Sequence, residues 1–427
     1  MGIHIDPQGG ASVAHQGTIT LLPEIVMDVS RLIYRQKNCL PSGIDRVEMA
    51  YIEGFDAVAG DRLSFCGYHP LLRRYTRLDR RQVFDRIAAI VAGWKSGSMK
   101  SNKRAILGYR PDLLSYKQKP GQRRVIVKVS PDHLEYRSRI KGLIDAEQAP
   151  LVTMIHDLLP IDYPEFSGYG GDKTQQRRLK VIAEFSTHIV ANSQYTAASI
   201  RRYFGHESCP PVTAIPLGFT STMRPSFSSF RDRMTPAPHE PYFACIGTIE
   251  PRKNHMMLLH LWRQLSRLSK NNCGSIPRLY IIGRRGWENE NIIDLLERSP
   301  IVRSHVIEAG EMGDEAVAQL LLGARALLAP SFAEGFDLPV AEALSCGVPV
   351  ICSDIAPHRE IGGDVPEYVD PLDGPTWTRL ICEYARDDSP TRNAQLRRLR
   401  DWSIRSWDSH IQEVHEICKS LGIYYVK

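Results

Sequence analysis

The chain holds 427 residues, 43% hydrophobic and 24% charged, which suits two or three ordinary globular domains. No run of about 18 apolar residues occurs, and this excludes a membrane-spanning helix. The net charge of +6 is uneven: residues 1–141 carry 24 Lys and Arg against 13 Asp and Glu, and the remainder sums to −5.

A basic first half fits anionic lipid headgroups or lipid-linked pyrophosphates, or it is a solvated surface with no special role. Nucleic acid fits least, because no recognition motif accompanies the charge. Met1 to Gln16 lacks the basic start and apolar stretch of a secretory signal and reads as a loose tail. The nine cysteines form no CxxC pair and no Cys/His cluster at zinc spacing. They read as reduced, structural thiols of a cytoplasmic protein, with Cys245, Cys346 and Cys352 set in apolar runs.

In chain order, Glu24 to Val29 predicts a buried strand, Arg31 to Leu40 a loop, and Pro41 to Phe55 a helix with its opening turn. Gly60 to Tyr68 fits a second strand. The Arg/Lys-rich segment Leu71 to Gln122 has only a weak helical pattern and receives no element. Val125 to Val129 and Leu151 to Ile155 are short apolar strands between turn signals. A helix over Gln175 to Phe185, a strand over His188 to Ala191, a helix over Thr196 to Tyr203 and a strand over Val212 to Ile215 follow. Pro216, Pro225, Pro236, Pro238 and Pro241, among many Ser and Thr, mark a linker.

A second alternating series comes next. It has strands at Tyr242–Ile246, Leu279–Ile282, Ala326–Ala329 and Val348–Cys352, and helices at Met256–Ser269, Ile292–Glu297, Ala316–Ala324 and Val340–Cys346. Alternation at this spacing implies right-handed crossovers and parallel sheets. The fold class is therefore α/β, with two doubly wound, Rossmann-like domains facing across a cleft. Ligands in such sheets bind beyond the carboxyl ends of strands.

Two motifs sit there. The stretch PSFAEGFDLPVAEAL over 330–344 separates Glu334 from Glu342 by seven residues. Glu334 falls in a Gly-containing turn and Glu342 on the helix after it, roughly 10 Å apart at helical rise. That is about the span of a sugar joined to a ribose through a diphosphate. The helix N-terminus between them offers free N–H groups for a phosphate. The stretch IGTIEPRKNH over 246–255 ends a strand before a helix. Gly247 lets a ligand approach the backbone, Arg252 can fork onto phosphate oxygens, and Lys253 adds a point charge. Such cations stabilise a departing diphosphate; Arg-Lys at a helix start can also be a plain solvated loop. His156 ends a strand and is either a site residue or a structural histidine. Asp157 reads mainly as a cap. Asp45 and Arg46 form an ion pair on their helix or touch an acceptor. Trp402 and Trp407 are packing residues.

Taken together, GTIEPRKN and, about 80 residues later, PSFAEGFDLPVAEALSCGVPVICSD resemble the family 4 glycosyltransferases, a retaining group with the GT-B fold. The likeness extends to HDLLP at 156–160, YPE at 163–165 and ANS at 191–193, which are similar to the bacterial polysaccharide branch with its mannosyl- and rhamnosyltransferases, and the SGIDRV loop at 42–47 lies where the family has its N-terminal Gly-rich loop. WSIRSW at 402–407 is similar to the family's final helix, and the match spans about 24–420. It implies a tail over 1–22, an acceptor-side domain over 23–217 and a linker over 218–240. A nucleotide-sugar domain over 241–400 and a helix over 401–427 crossing back to the first domain complete the chain.

By the same resemblance Glu334 would bind sugar hydroxyls, and backbone N–H groups of Gly335, Phe336 and Leu338 would hold sugar or phosphate. Glu342 would bind the ribose, and Arg252 and Lys253 the diphosphate. Gly43 would admit the distal phosphate, Gly247 would approach the donor, His156 would face the transferred sugar, and Met312 would lie near the base. The family often has two adjacent glycines where this chain has Ser42-Gly43. It commonly has glycine where this chain has Asp337, a place to tune sugar choice.

The implied reaction is retaining transfer of a hexose, mannose or rhamnose first, from a nucleotide diphosphate-sugar to a hydroxyl of a glycan or lipid-linked oligosaccharide. GDP-mannose leads as donor, with dTDP-rhamnose or a UDP-sugar next. The setting would be cell-surface polysaccharide synthesis, in the cytoplasm or peripherally on the inner membrane face. No cofactor and no metal are implied, since Arg252 and Lys253 take the cation's part. Two other readings are an epimerase or hydrolase of the same fold, and a non-catalytic glycan- or nucleotide-binding subunit. The former lacks its extra acid/base carboxylates here, and the latter would have no need of all four charged residues.

Overall fold

The computed structural model describes residues 22–34, 40–96, 123–205, 209–219, 240–269 and 276–423. The tail and linker expected at 1–22 and 218–240 fall almost wholly outside them.

The first sheet is built from β1 (Glu24–Asp28), β2 (Leu63–His69), β3 (Arg74–Leu78), β4 (Arg124–Lys128), β5 (Leu151–Ile155), β6 (Ser186–Ala191) and β7 (Val212–Ala214). Its order is β3-β2-β1-β4-β5-β6-β7, with every pairing parallel except β2 with β3. The second comprises β8 (Tyr242–Ile246), β9 (Arg278–Ile282), β10 (Val306–Gly310), β11 (Leu327–Ala329), β12 (Val350–Ser353) and β13 (Glu367–Val369). All its pairings are parallel, in the order β10-β9-β8-β11-β12-β13. Parallel strands covered on both faces need near-continuous apolar runs, and Ile25–Met27, Val125–Val127 and Phe243–Cys245 are such runs, all buried.

Strand order reverses between β1 and β4 in one sheet and between β8 and β11 in the other. A crevice opens at such a reversal, beyond the carboxyl ends of the two strands. Lys253 follows β8 and Glu334 follows β11, so topology alone brings the two motifs side by side.

Several expectations change. Arg31 to Leu40 is not wholly loop, because Ser30–Tyr34 is a short helix. The unassigned Leu71–Gln122 segment contains β3 and the helix Arg80–Ser96; its residues 97–122 lie outside the described ones. Its arginines hid the strand: Arg77 is buried against Glu24 and Glu147, and the pairing makes it a core residue. The strands β10 and β13 and the helices Arg137–Glu147, Gly374–Ala385 and Pro390–Arg400 lack a sharp local signal. The helix expected from Val340 starts at Leu338, because proline is tolerated in the first turn.

The helix expected over 401–427 starts only at Trp407, residues 401–406 lying outside any helix, and as Trp407–Ile423 it packs on the helix Gly43–Ala59 of the first domain. His410 fastens it: its Nδ1–H donates to the Pro216 carbonyl at 2.9 Å, and the Tyr51 hydroxyl donates to Nε2 at 2.8 Å. Trp402, half-buried, donates its indole N–H to the Ile361 carbonyl. Burial pulls the His410 imidazole from 6.5 to about 4, so it is neutral at pH 7. Replacing His410 by Ala leaves two buried groups unpaired and is expected to destabilise the protein by about 2–4 kcal/mol. The same change should flatten the stability loss between pH 6.5 and 4, where unfolding lets a neutral buried imidazole take up a proton. Urea unfolding across that range checks both.

Candidate active site

The first-domain loop before the helix Gly43–Ala59 is held from several sides. Ser42 is the helix N-cap, in a reciprocal capping box with Asp45. Arg31 donates to Asp45 at 2.7 Å, to Ser42 at 3.2 Å and to Asp132. Ser42 thus stands in the second glycine's place as a cap, and such caps are worth about 1 kcal/mol. Asp45 and Arg46 are not the pair expected on one helix: Asp45 meets Arg31, while Arg46 crosses the cleft to Asp314 at 2.9 Å.

A cavity of about 230 Å³ lies between this loop and the second sheet. Ser42, Gly43 and Arg46 line one side, and Gly247, Arg284, Met312, Leu338 and Glu342 the other. Five expected site residues therefore line one cavity, Gly43 from the first domain and Gly247, Met312, Leu338 and Glu342 from the second. Burial raises the Glu342 carboxyl above its usual range, and the Arg46 charge opposes the rise.

Arg252, Lys253 and Glu334 lie outside that lining, in a chain of buried charges beside it. Glu334 is paired with Arg252 and, at 2.7 Å, with Lys253. Arg252 also donates to Glu250 at 3.0 Å and to the Ala333 carbonyl at 2.8 Å. Lys253 donates to Asp337 at 3.0 Å, and His358 donates to the other Asp337 oxygen at 3.0 Å. From contact to contact, Glu250, Arg252, Glu334, Lys253, Asp337 and His358 alternate in sign through the fold. A backbone bond from Phe332 N–H to the Arg252 carbonyl, 2.9 Å, ties the two loops together. Despite the burial that opposes it, the Lys253 ammonium is held well above its usual range by Asp337 and Glu334.

Gly247 connects chain and cavity. Its φ is +147°, and a Cβ there would sit 3.1 Å from Lys253 Cε. The lysine side chain passes close beneath Gly247, where the positive φ favours glycine.

His156 and Gly335 meet at the seam between domains. A Cβ on Gly335 would fall 2.3 Å from the His156 carbonyl oxygen and 2.9 Å from Asp157 Cβ. Ser193 donates to the Gly335 carbonyl at 2.8 Å, and Glu360 accepts from the N–H groups of Gln194 and Tyr195, both at 2.7 Å. The His156 Nε2–H donates to the Val129 carbonyl at 2.9 Å, which leaves Nδ1 as an acceptor. Burial lowers this imidazole to about 4, so it stays neutral at working pH. Asp157 accepts from Leu159 N–H at 3.1 Å, a turn cap rather than a helix cap, since Leu158 is the N-cap of the helix Leu159–Asp162. Phe336 is buried behind Gly335.

Residues missed from sequence are Glu250, Arg284, Asp314, His358 and Glu360, and Arg46 was noticed without its partner. Glu250 belongs to the IGTIEPRKNH stretch. His358 follows β12 in a stretch with no charge pattern of its own.

Residues 227–365 match the family model described as "Glycosyl transferases group 1". The chain is 30% identical over 269 residues to the O-antigen chain mannosyltransferase B of Escherichia coli, covering 60% of this chain and 67% of that protein. It belongs to the group 1 glycosyltransferases and is a glycosyltransferase with a GT-B fold. It is also 28% identical to the serotype-specific mannosyltransferase WbdA of Escherichia coli, over 49% of this chain but only 26% of that one. In structure it is similar to Anabaena Alr3699/HepE in complex with UDP-glucose, with a TM-score of 0.61 at 14% identity over 93% of this chain and 99% of that one. Sucrose-phosphate synthase from Thermosynechococcus elongatus shares the fold too, with a TM-score of 0.59 at 16% identity over 93% of this chain and 99% of that one.

Gly335→Ala forces the two domains apart at the seam. Because misplacement by about 1 Å can cost about a hundredfold in rate, sugar transfer should fall by about that factor with little loss of thermal stability. Steady-state kinetics beside a thermal melt checks this.

Proposed function

We propose that this glycosyltransferase moves mannose, with retained configuration, from GDP-mannose to a hydroxyl of a lipid-linked glycan in cell-surface polysaccharide synthesis. The observation that carries the reading is Glu334 paired with both Arg252 and Lys253 beside a cavity lined by Gly43, Gly247 and Glu342. The likeness to O-antigen mannosyltransferases supports mannose.

A diphosphate brings negative charge to a place where Glu334 already neutralises two cations. On donor binding, phosphate oxygens replace the Glu334 carboxylate on Lys253 and on the open edge of Arg252. The freed carboxylate turns to the sugar hydroxyls. Glu342 accepts from the ribose hydroxyls, Met312 lies against the base, and N–H groups of Gly335, Phe336 and Leu338 steady sugar and phosphate. The acceptor oxygen then attacks the anomeric carbon on the face the diphosphate leaves. The bond from that carbon to the phosphate oxygen breaks, and the departing phosphate takes the acceptor proton. His156, neutral, offers Nδ1 as an acceptor to the transferred sugar. Fixed cations aimed at the leaving group supply most of the rate, and removing one costs about a hundredfold or more. The reading calls for no cofactor and no metal.

A membrane-bound acceptor calls for a contact with the lipid surface. Among the described residues no helix is long and apolar enough to cross a membrane. The turn between β2 and β3 presents Leu71 and Leu72, 70% and 45% exposed, beside exposed Arg73 and Arg74. Apolar tips flanked by cations suit an anionic interface.

GDP-mannose should raise the melting temperature and, with a glycan acceptor added, yield a mannosylated product whose anomeric configuration, read by NMR, matches the donor's. Lys253→Ala and Glu334→Ala should each lower kcat/KM by about a hundredfold. Unchanged transfer by Lys253→Ala would remove the phosphate assignment, and turnover of another sugar nucleotide alone would remove mannose. Changing Leu71 and Leu72 together to Ser should weaken sedimentation with phosphatidylglycerol vesicles severalfold, leaving transfer to a water-soluble acceptor unaltered; added salt should weaken the wild type as well.

A further inference from the structure

Asp337 occupies a costly position. Its φ is +83°, in the left-handed region that is unfavourable for a residue with a Cβ. It precedes the helix Leu338–Ser345, where an aspartate ordinarily accepts from the first N–H groups, yet its side chain makes no such bond. It is also almost wholly buried. Strain, an uncapped helix and a buried charge persist together only when other contacts over-determine them.

Those contacts are Lys253 on one carboxylate oxygen and His358 on the other, each at 3.0 Å. His358 is fully buried on the helix Ala356–Gly362. Its Nδ1 lies 2.9 Å from the Ser353 carbonyl oxygen, which can only accept, so Nδ1 carries a proton. Its Nε2 faces an ionised carboxylate and carries the other. The ring is therefore an imidazolium.

Charge arithmetic gives this a consequence. An aspartate beside Lys253 alone would cancel the lysine and leave nothing for a phosphate. With a cationic His358 on its far side, the group of three keeps one net positive charge. The lysine end of that group lies under Gly247 at the cavity wall.

We propose that Asp337 and His358 are positioning residues for sugar transfer: His358 neutralises Asp337, and Asp337 holds the Lys253 ammonium under the cavity with its charge still available to the donor diphosphate. This rests on the assignment of Lys253 to the diphosphate made above. The other groups facing His358 are Cys352 on β12, whose thiol burial keeps neutral, and Tyr368 on β13, whose hydroxyl donates to the His358 carbonyl. Burial works against the imidazolium, but the Cys352 sulfur beside the ring and the Asp337 bond and charge together hold its pKa well above 6.5. The charged form is thus kept as pH rises past the value at which an ordinary histidine loses it.

The test uses the full chain with two readouts. Histidine-selective nitrogen-15 NMR should find His358 doubly protonated at pH 7.5 in the wild type and neutral there in Asp337→Asn. Asparagine tolerates the left-handed backbone, and thermal melts of each variant confirm folding. Inorganic pyrophosphate, the group shared by all sugar nucleotides, should bind about tenfold more weakly to Asp337→Asn and to His358→Gln, with the double variant no weaker than Asp337→Asn, as expected for residues acting through one another. A neutral His358 at pH 7.5 in the wild type, or losses that add in the double variant, would overturn the inference. Unchanged pyrophosphate binding by Lys253→Ala, with His358 titrating as expected, would locate the failure in the diphosphate assignment and remove the inference with it.

Discussion

A buried charge must be paired, and in this protein that rule organises the catalytic domain. Removing one partner of a buried pair costs about 3–5 kcal/mol, because the other charge is left uncompensated. Glu250, Arg252, Glu334, Lys253, Asp337 and His358 come from the segments after β8, after β11 and after β12. Each cation touches at least one acid of the set, and each acid at least one cation. The loops that hold the site therefore form as a unit.

Close approach of backbones is the second constraint. Gly247 lets Lys253 run beneath the cavity wall, and Gly335 lets the second domain rest on the His156 carbonyl. Around that seam the domains exchange polar contacts: Ser193 to Gly335, Glu360 to the start of the helix Gln194–Phe204, and Arg46 to Asp314. Arg46 lines the cavity with Gly43 and Glu342. The seam has an apolar contact as well, the Phe166 and Phe332 rings stacked 5.4 Å apart.

Much of this architecture could be read from the chain alone. Apolar runs alternating with helical periods dictate two parallel sheets, since each short run must be covered on both faces. Gly-Phe-Asp-Leu-Pro after a buried strand forces a turn and a helix start, which fixed where Glu334 and Glu342 would stand. Elements with weak local signals were lost: β3 because its arginines are made core residues by ion pairs, and β13 because three residues carry no periodicity.

What sequence determined by itself was the local chemistry, namely strand ends, helix starts and the acids and cations placed on them. These depend on neighbours within a few residues, where backbone preference and residue type suffice. Tertiary structure alone decided partnership. Asp337 and His358 are 21 positions apart and Arg46 and Asp314 are 268 apart, and no local preference links them. Strand order and domain closure bring them together, and burial then turns proximity into a fixed charge state.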